Sequence, residues 1–395
     1  MDSIQKNKLL EQLTQSLELP DTAYEKAVSR YEDLGAWLDR EDSTFKHNKA
    51  QIFPQGSFRL GTAIKPINET ESYDLDLACN IRAGFATNTH SQKNLKDAVG
   101  KELESYRVAR NIKAEKESKH RCWRLEYADD VSFHLDIVPC IPQSENVRQT
   151  LTESMQKYGL NLEVASNLSK HAVCITDDTL PHYSTIADDW PISNPEGYAL
   201  WFIDKMRTRS LLEDLSKKAQ IDDIPVFKRK TPLQRVVQLL KRHRDVMFQE
   251  HSDSKPISII IATIAANAYS GSRSLEVALQ EVLTALNTFA SSNSDKVLNP
   301  VNPDENFADK WESPNYADLR LKENFKDWVR EANRHFSIFL SSDDVQRIYE
   351  TASDNFKVGK SKNEWANLLG ISIAPSIVTT SRDIEHAVAK PWGTE

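Results

Sequence analysis

The chain has 395 residues, 27% of them charged and 39% hydrophobic, with a mean hydropathy of -0.55. A chain this long builds a full core without disulfide staples, and this composition excludes a disordered tail or a membrane-embedded protein. Lys and Arg total 50 against 58 Asp and Glu, a net charge of -8, whereas a protein whose main task is to hold duplex DNA carries a basic balance.

At ~150 residues per domain, two or three domains are expected. The most apolar stretch, Ile257 to Ala268, carries Ser258, Thr263 and Asn267. It is far short of the ~20 apolar residues a membrane span needs, so it reads as a buried helix. No apolar run follows the charged start Met1 to Lys8, which predicts no secretory signal. Cys79, Cys122, Cys140 and Cys174 show no CxxC spacing. A zinc ribbon is not expected, and the cysteines read as free thiols packed in a cytoplasmic protein.

In chain order, Pro20 and Asp21 precede Tyr24, Ala27, Val28, Tyr31, Leu34, Trp37 and Leu38. These three- and four-residue steps predict a helix of about twenty residues, roughly 30 Å long, able to span two lobes. Ala50 to Phe53 is a strand candidate, broken by Pro54-Gln55-Gly56-Ser57. Tyr73 to Ile81 alternates like a strand. A polar helix is expected around Asn94 to Arg110. Strands follow over His120 to Tyr127 and Val131 to Ile141, with a hairpin turn at Tyr127-Ala128-Asp129-Asp130. Residues 142 to 193 read as loops with short helices. Asn194-Pro195-Glu196 and Thr231-Pro232 are helix starts. Helices around 256–269, 273–290, 316–340 and 342–352 complete a helical half, and Asn299-Pro300-Val301-Asn302-Pro303 reads as a loop.

The chemistry concentrates in Gln55 to Thr62 and in Asp74-Leu75-Asp76. Residues i and i+2 of a strand share a face, so Asp74 and Asp76 present two carboxylates side by side. Unpaired, they repel each other and raise a pKa. A divalent cation removes the conflict, and Mg²⁺ prefers carboxylate and phosphate oxygens. Asp136, in Leu135-Asp136-Ile137-Val138-Pro139, is the candidate third carboxylate, on a strand able to pair beside the first. Gly56 lets backbone approach a phosphate, and successive amides with the Ser57 hydroxyl form an anion nest. Taken singly, a DxD or a Gly-Ser is usually a solvated face or a plain turn. The combination is far more specific. His134, two residues before Asp136, reads as a packing or supporting residue, and the tryptophans, Trp123 included, as core.

This constellation resembles the polymerase-β-like nucleotidyltransferases. With Ser193-Asn194-Pro195-Glu196-Gly197-Tyr198 and Asn299 to Pro303 added, the chain resembles the bacterial CD-NTases, the cGAS/DncV-like enzymes of anti-phage signalling, from about residue 20 to 340. The resemblance implies an α+β, bilobal nucleotidyltransferase: a small mixed sheet with helices faces a helical lobe, and a long N-terminal helix joins them. It places the catalytic core with its helix at 1–190 and the helical lobe at 191–395. It implies that Asp74, Asp76 and Asp136 are catalytic and hold two Mg²⁺ (Mn²⁺ as substitute), and that Gln55, Gly56, Ser57, Lys241 and Ser258 bind the nucleotide. A solvated basic face is the alternative for Lys241. Ile259 follows Ser258 where some relatives have an aromatic residue, leaving Tyr198 and Tyr269 as candidates for base stacking.

The function expected from the resemblance is the joining of NTPs, ATP and GTP first, into a cyclic oligonucleotide such as a cyclic GMP-AMP. A downstream effector reads this messenger in anti-phage (CBASS) defence. A tRNA or protein acceptor is the alternative, kept open by the basic stretches Lys205 to Arg209, Lys228 to Lys230 and Lys241 to Arg244. No stable DNA binding and no membrane association are expected, and control by a partner protein or small molecule is.

Overall fold

A computed structural model describes residues 1–68, 71–128, 132–206, 230–292 and 294–371. Its first helix, α1 (Ser3–Leu17), is not among the elements the sequence pattern predicts. Asp2 caps it reciprocally with Gln5, a capping box. Its buried stripe, Leu9, Leu10, Leu13 and Leu17, is narrow between polar residues. Pro20 ends the run, and α2 (Asp21–Leu38) buries Ala23, Ala27, Tyr31, Leu34 and Leu38. The stripe of α1 belongs to the core of the helical half and that of α2 to the core under the sheet. The single joining helix is therefore two helices, and the chain crosses between cores at the proline.

The sheet comprises β1 (Ala50–Pro54), β2 (Tyr73–Ile81), β3 (Glu117–Ser118), β4 (Trp123–Tyr127), β5 (Phe133–Pro142), β6 (Val173–Ile175) and β7 (Ile192–Ser193), in the order β1-β2-β5-β4-β3 with β6 and β7 carried on the end of β5. β2 and β5 are parallel, and the others pair antiparallel. The parallel register sets Asp76 opposite Asp136 and Asp74 opposite His134. Between β1 and β2 sits a short helix, α3 (Gly56–Leu60). Beneath the sheet, α4 (Gln92–Ala109) packs Leu95, Val99, Leu103 and Tyr106 against it.

The segment expected to be loops with short helices holds α5 (Glu145–Lys157) and α6 (Leu162–Ser169) as well as β6 and β7. Ser144 and Asn161 there are N-caps, so polar residues that suggest loops are partly helix starts. The helical half continues with α7 (Pro195–Met206), α8 (Pro232–Met247), α9 (Ser258–Ala268), α10 (Leu275–Ser291), α11 (Leu321–Ser341), α12 (Val345–Phe356) and α13 (Lys362–Leu368). Thr231 caps α8 in a box with Gln234. The expected loop at residues 299–303 is a tight hairpin, β8 (Leu298–Asn299) against β9 (Asn302–Asn306). The Asn299 side chain accepts from Val301 N across the turn at 3.0 Å. A two-stranded ribbon tolerates Pro303 because its outer edge needs no donor.

The two cores meet at α3, where Phe58 packs into the sheet core and Leu60 into the helical one. The Gly-Ser turn therefore stands at the junction of both halves. Among the described residues no helix is long and apolar enough to cross a membrane.

Candidate active site

The alternation of β2 puts Asp74 and Asp76 on one face, and the β2–β5 register brings Asp136 beside Asp76. Gly56 covers this pair. Its backbone is left-handed at φ +60, and a Cβ there would meet Asp76 Oδ2 at 2.2 Å. Glycine is thus required twice, for the conformation and for the close approach. The neighbouring Gln55 ties the turn down through its backbone N to Asp76 O at 2.8 Å. Its side-chain amide points to Leu77 O at 3.4 Å, so Gln55 holds the turn from behind and is not part of the cleft wall.

A cleft of about 750 Å³ opens over these residues. One wall carries Gly56, Ser57, Asp74, Asp76 and Asp136, and the other carries Lys241 and Ser258. The Asp76 carboxyl is pushed up to about 7, first by burial, then by Asp136 and Asp74, against the pull of Lys241 and Arg124. Facing it, the Lys241 ammonium is pushed down to about 8, chiefly by burial and then by Arg244. The pair are mutual counter-charges across the cleft.

The residue that sequence reading misses is Arg124. From β4 it holds both Asp136 oxygens, Nε to Oδ1 and Nη2 to Oδ2, at 2.7 Å each. The β4–β5 register places it opposite Asp136, so the hairpin turn already seen in the sequence, counted residue by residue, is the signal that could have found it. His134 Nδ1 lies 3.4 Å from Asp74 Oδ1, the supporting place expected of it. Trp123 packs on Gly100 and donates to Lys96 O at 2.9 Å, a core role.

The helix-side residues are spent on the backbone. Gln234 and Gln238 donate to Leu60 O and Ala63 O at 2.9 and 2.8 Å, Lys241 to Thr62 O at 3.0 Å, and Arg242 to Lys65 O at 2.5 Å. Arg244 donates to Pro256 O and to the Ser258 hydroxyl at 3.0 and 2.7 Å. Lys241, Arg242, His243 and Arg244 are all buried. The solvated-face alternative for Lys241 fails, and this stretch offers no groove to a macromolecular acceptor. Most of the other two basic stretches lies outside the described residues. Tyr198 bonds Thr263 at 2.9 Å and Tyr269 bonds Ser272 O at 2.6 Å. Neither lines the cleft, so the stacking role considered for them is withdrawn.

The Asn194 to Tyr198 segment acts from behind. The Asn194 side chain accepts from Gly197 N at 2.9 Å, and Gly197 has no room for a Cβ beside it. Glu196 takes Arg59 Nε and Nη2 at 2.8 and 2.5 Å in a buried ion pair, locking α3 to α7.

The three aspartates offer hard oxygen donors, and the raised Asp76 carboxyl marks a site short of positive charge. Their chemistry fits a divalent cation. Among the described residues no three His, Cys, Asp or Glu side chains already form a metal-binding group. Asp136 is turned to Arg124, which holds both its oxygens.

Over 307 residues, 76% of its length, the chain is 30% identical to a c-di-GMP synthase of Roseivirga ehrenbergii, covering 72% of that protein. The chain belongs to the bacterial CD-NTases. Residues 50–139 match the family described as the nucleotidyltransferase domain of the DncV-like cyclic GMP-AMP synthases. A further relative, the cyclic dinucleotide synthase CdnG of Bradyrhizobium diazoefficiens, is 25% identical over 319 residues, 77% of this chain and 69% of the relative. The solved structure of that CdnG with GTP has the same fold, with a TM-score of 0.64, 21% identity and coverage of 92% of this chain and 97% of its own. Vibrio cholerae DncV, solved with ATP, GTP and 5MTHFGLU2, gives 0.52, 16%, 92% and 88%. This CD-NTase is therefore a nucleotidyltransferase of the cyclic-dinucleotide-synthase family, with the bilobal α+β fold the motifs imply.

Proposed function

We propose that this CD-NTase joins two purine nucleoside triphosphates, GTP and ATP, into a cyclic dinucleotide. The observation that carries the reading is the Asp76–Asp136 pair under the Gly56-Ser57 turn, faced by buried Lys241 across a cleft large enough for nucleotides. The relatives' names support the product class. The name of the 30% identical relative favours a second reading in which both substrates are GTP.

In the proposed reaction a ribose hydroxyl of one nucleotide forms a P–O bond to the α-phosphate of the other. The bond to pyrophosphate breaks, and the hydroxyl proton passes to Asp136. A second such step closes the ring. Asp74, Asp76 and Asp136 would hold divalent cations, two Mg²⁺ with Mn²⁺ as substitute, which when bound supply Lewis-acid stabilisation of the attacking and leaving oxygens. Gly56 and Ser57 amides and the Ser57 hydroxyl receive the triphosphate, with Gln55 fixing their turn. Lys241 and Ser258 face it from the helical wall. Arg124, freed from Asp136, is placed to meet a phosphate.

The catalytic part is assigned to residues 1–190 and the helical lobe to 191–395, although α1 packs with the latter. The setting is cytoplasmic anti-phage signalling, with an effector reading the product. A complex of Escherichia coli CdnC with a HORMA protein supports a protein regulator.

The test is incubation with four labelled NTPs and Mg²⁺ or Mn²⁺, followed by phosphatase and mass spectrometry. A phosphatase-resistant product with the mass of a cyclic GMP-AMP is expected, and one with the mass of c-di-GMP establishes the second reading. Label found only on added tRNA or protein would overturn both.

A further inference from the structure

Farther along the sheet face that carries the aspartates lies a second cavity, of about 200 Å³. Asn80, four residues beyond Asp76 on β2 and so roughly 13 Å away, stands in its wall with Arg82, Arg148, Lys170, His171 and Glu196. Phe53 and Val173, part of a small apolar cluster with Ala78 and Cys140, also line it.

This wall is strongly cationic in a chain of net charge -8. Among the described residues neither Arg82 nor Lys170 has an ion-pair partner, and the carboxylate nearest Arg148, that of Glu145, is 3.9 Å away and 88% exposed. Glu196 cannot neutralise the group because both its oxygens are held by Arg59. Two atoms are buried without any hydrogen-bond partner, Arg148 Nε and Asn80 Oδ1. Leaving a buried donor or acceptor unmade is costly, and both atoms belong to residues that line this cavity. Burial, together with the Arg148, Arg59 and Lys170 cations, holds the His171 imidazole below its usual range despite Glu196, as expected beside an unpaired positive field.

We propose that this cavity binds a small multiply charged anion, a carboxylate or a phosphate bearing a hydroxyl, whose acid groups meet Arg148, Lys170 and Arg82 and whose hydroxyl donates to Asn80. Glu196 forms part of the wall and also holds Arg59, two residues after Ser57. Charge placed against Glu196 biases that ion pair and with it α3, so the site is linked to the triphosphate turn. This link, unlike the binding itself, rests on the reading of the cleft given above.

Isothermal titration of the full chain in metal-free buffer, with inorganic phosphate and with citrate, a tricarboxylate bearing a hydroxyl, as separate probes, tests the site without relying on turnover. One saturable event is expected, weakened at least about tenfold in Arg148→Gln and unaltered in Lys241→Ala. The tighter probe identifies the acid class. If Arg148→Gln does not fold, Asn80→Asp gives the same test, since a like charge in the cavity must weaken binding. No saturation by either probe, binding that is undiminished in Arg148→Gln or in Asn80→Asp, or binding that is lost in Lys241→Ala overturns the proposal. For the link, a saturating probe should shift the affinity for a non-hydrolysable GTP analogue by about fivefold or more, reciprocally. An unchanged analogue affinity with the probe bound overturns it.

Discussion

The two walls of the catalytic cleft follow opposite electrostatic plans. On the sheet wall, like charges are crowded: Asp76 faces Asp136 across one strand pair, Asp74 stands two residues away, and the Asp76 carboxyl is driven up to about 7. On the helix wall, charges are dispersed and occupied: Lys241, Arg242 and Arg244 each donate to a backbone carbonyl. The sheet wall sacrifices stability by crowding Asp76 between two other carboxylates, with only Asp136, among the described residues, held by a cation, Arg124, which is how a site built for an incoming cation and substrate looks. The helix wall gains stability by stapling α8 to the segment after α3, and only Lys241 belongs to both arrangements.

The sharpest break of this comparison is Asp74→Asn with Asp76→Asn. Turnover should fall by more than about a thousandfold, since several kcal/mol of charge stabilisation are lost, while circular dichroism stays native. Measurable near-wild-type product would remove the sheet wall from catalysis. Next in size, Arg124→Gln should lower kcat/KM by roughly ten- to a hundredfold, the scale of one charged hydrogen-bonding group. The loss should fall on kcat if Arg124 acts only through Asp136, and on KM if it also meets substrate.

Lys241→Ala and Ser57→Ala distinguish the walls more finely. Each should cost roughly tenfold or more in kcat/KM. Only Lys241→Ala should also lower the melting temperature, because only Lys241 serves Thr62 O from a buried position. Equal thermal stability of the two variants would mean that the helix-wall staple contributes nothing.

The sheet wall was legible in sequence because its chemistry is local: i, i+2 carboxylates, a Gly-Ser turn and one Asp in a later apolar strand need only strand periodicity to be placed. Register then did the rest, and it is non-local. Arg124 was invisible because its meaning depends on facing Asp136 across the hairpin, and Glu196 because its partner Arg59 is 137 positions away. The helix wall misled in the other direction. Lys241 to Arg244 reads as a basic face, yet burial spends it on carbonyls that no pattern in the sequence announces. Hidden too was α1, whose four buried leucines sit among Gln, Lys and Glu, a stripe that becomes apolar only against the helical core.

The crowding can be weighed by pH. A carboxyl raised from 3.8 to about 7 binds its proton more tightly folded than unfolded. The folded protein therefore loses stability as pH climbs from about 4 to about 7, and the loss is complete above that. Asp76→Asn should thus leave the melting temperature unchanged near pH 4 and raise it by several degrees at pH 8, a gain of up to roughly 4 kcal/mol. A uniform shift at both pH values would deny that ionisation of Asp76 strains the fold.

The smallest expected effect is none at all, and it tests the inward turn of the helix wall. Binding a duplex requires several phosphates to be neutralised by cations that can reach them, and the affinity so gained falls steeply with salt. Here the net charge is -8. The basic run of α8 is buried, with Lys241, Arg242 and Arg244 bound to carbonyls. Long double-stranded DNA should therefore leave the rate of product formation unchanged at ~150 mM salt, where screening acts over about 8 Å. A length-dependent activation would mean that cations elsewhere assemble into an outward face, and the contrast between a strained sheet wall and a self-satisfied helix wall would then describe only the cleft and not the enzyme's surface.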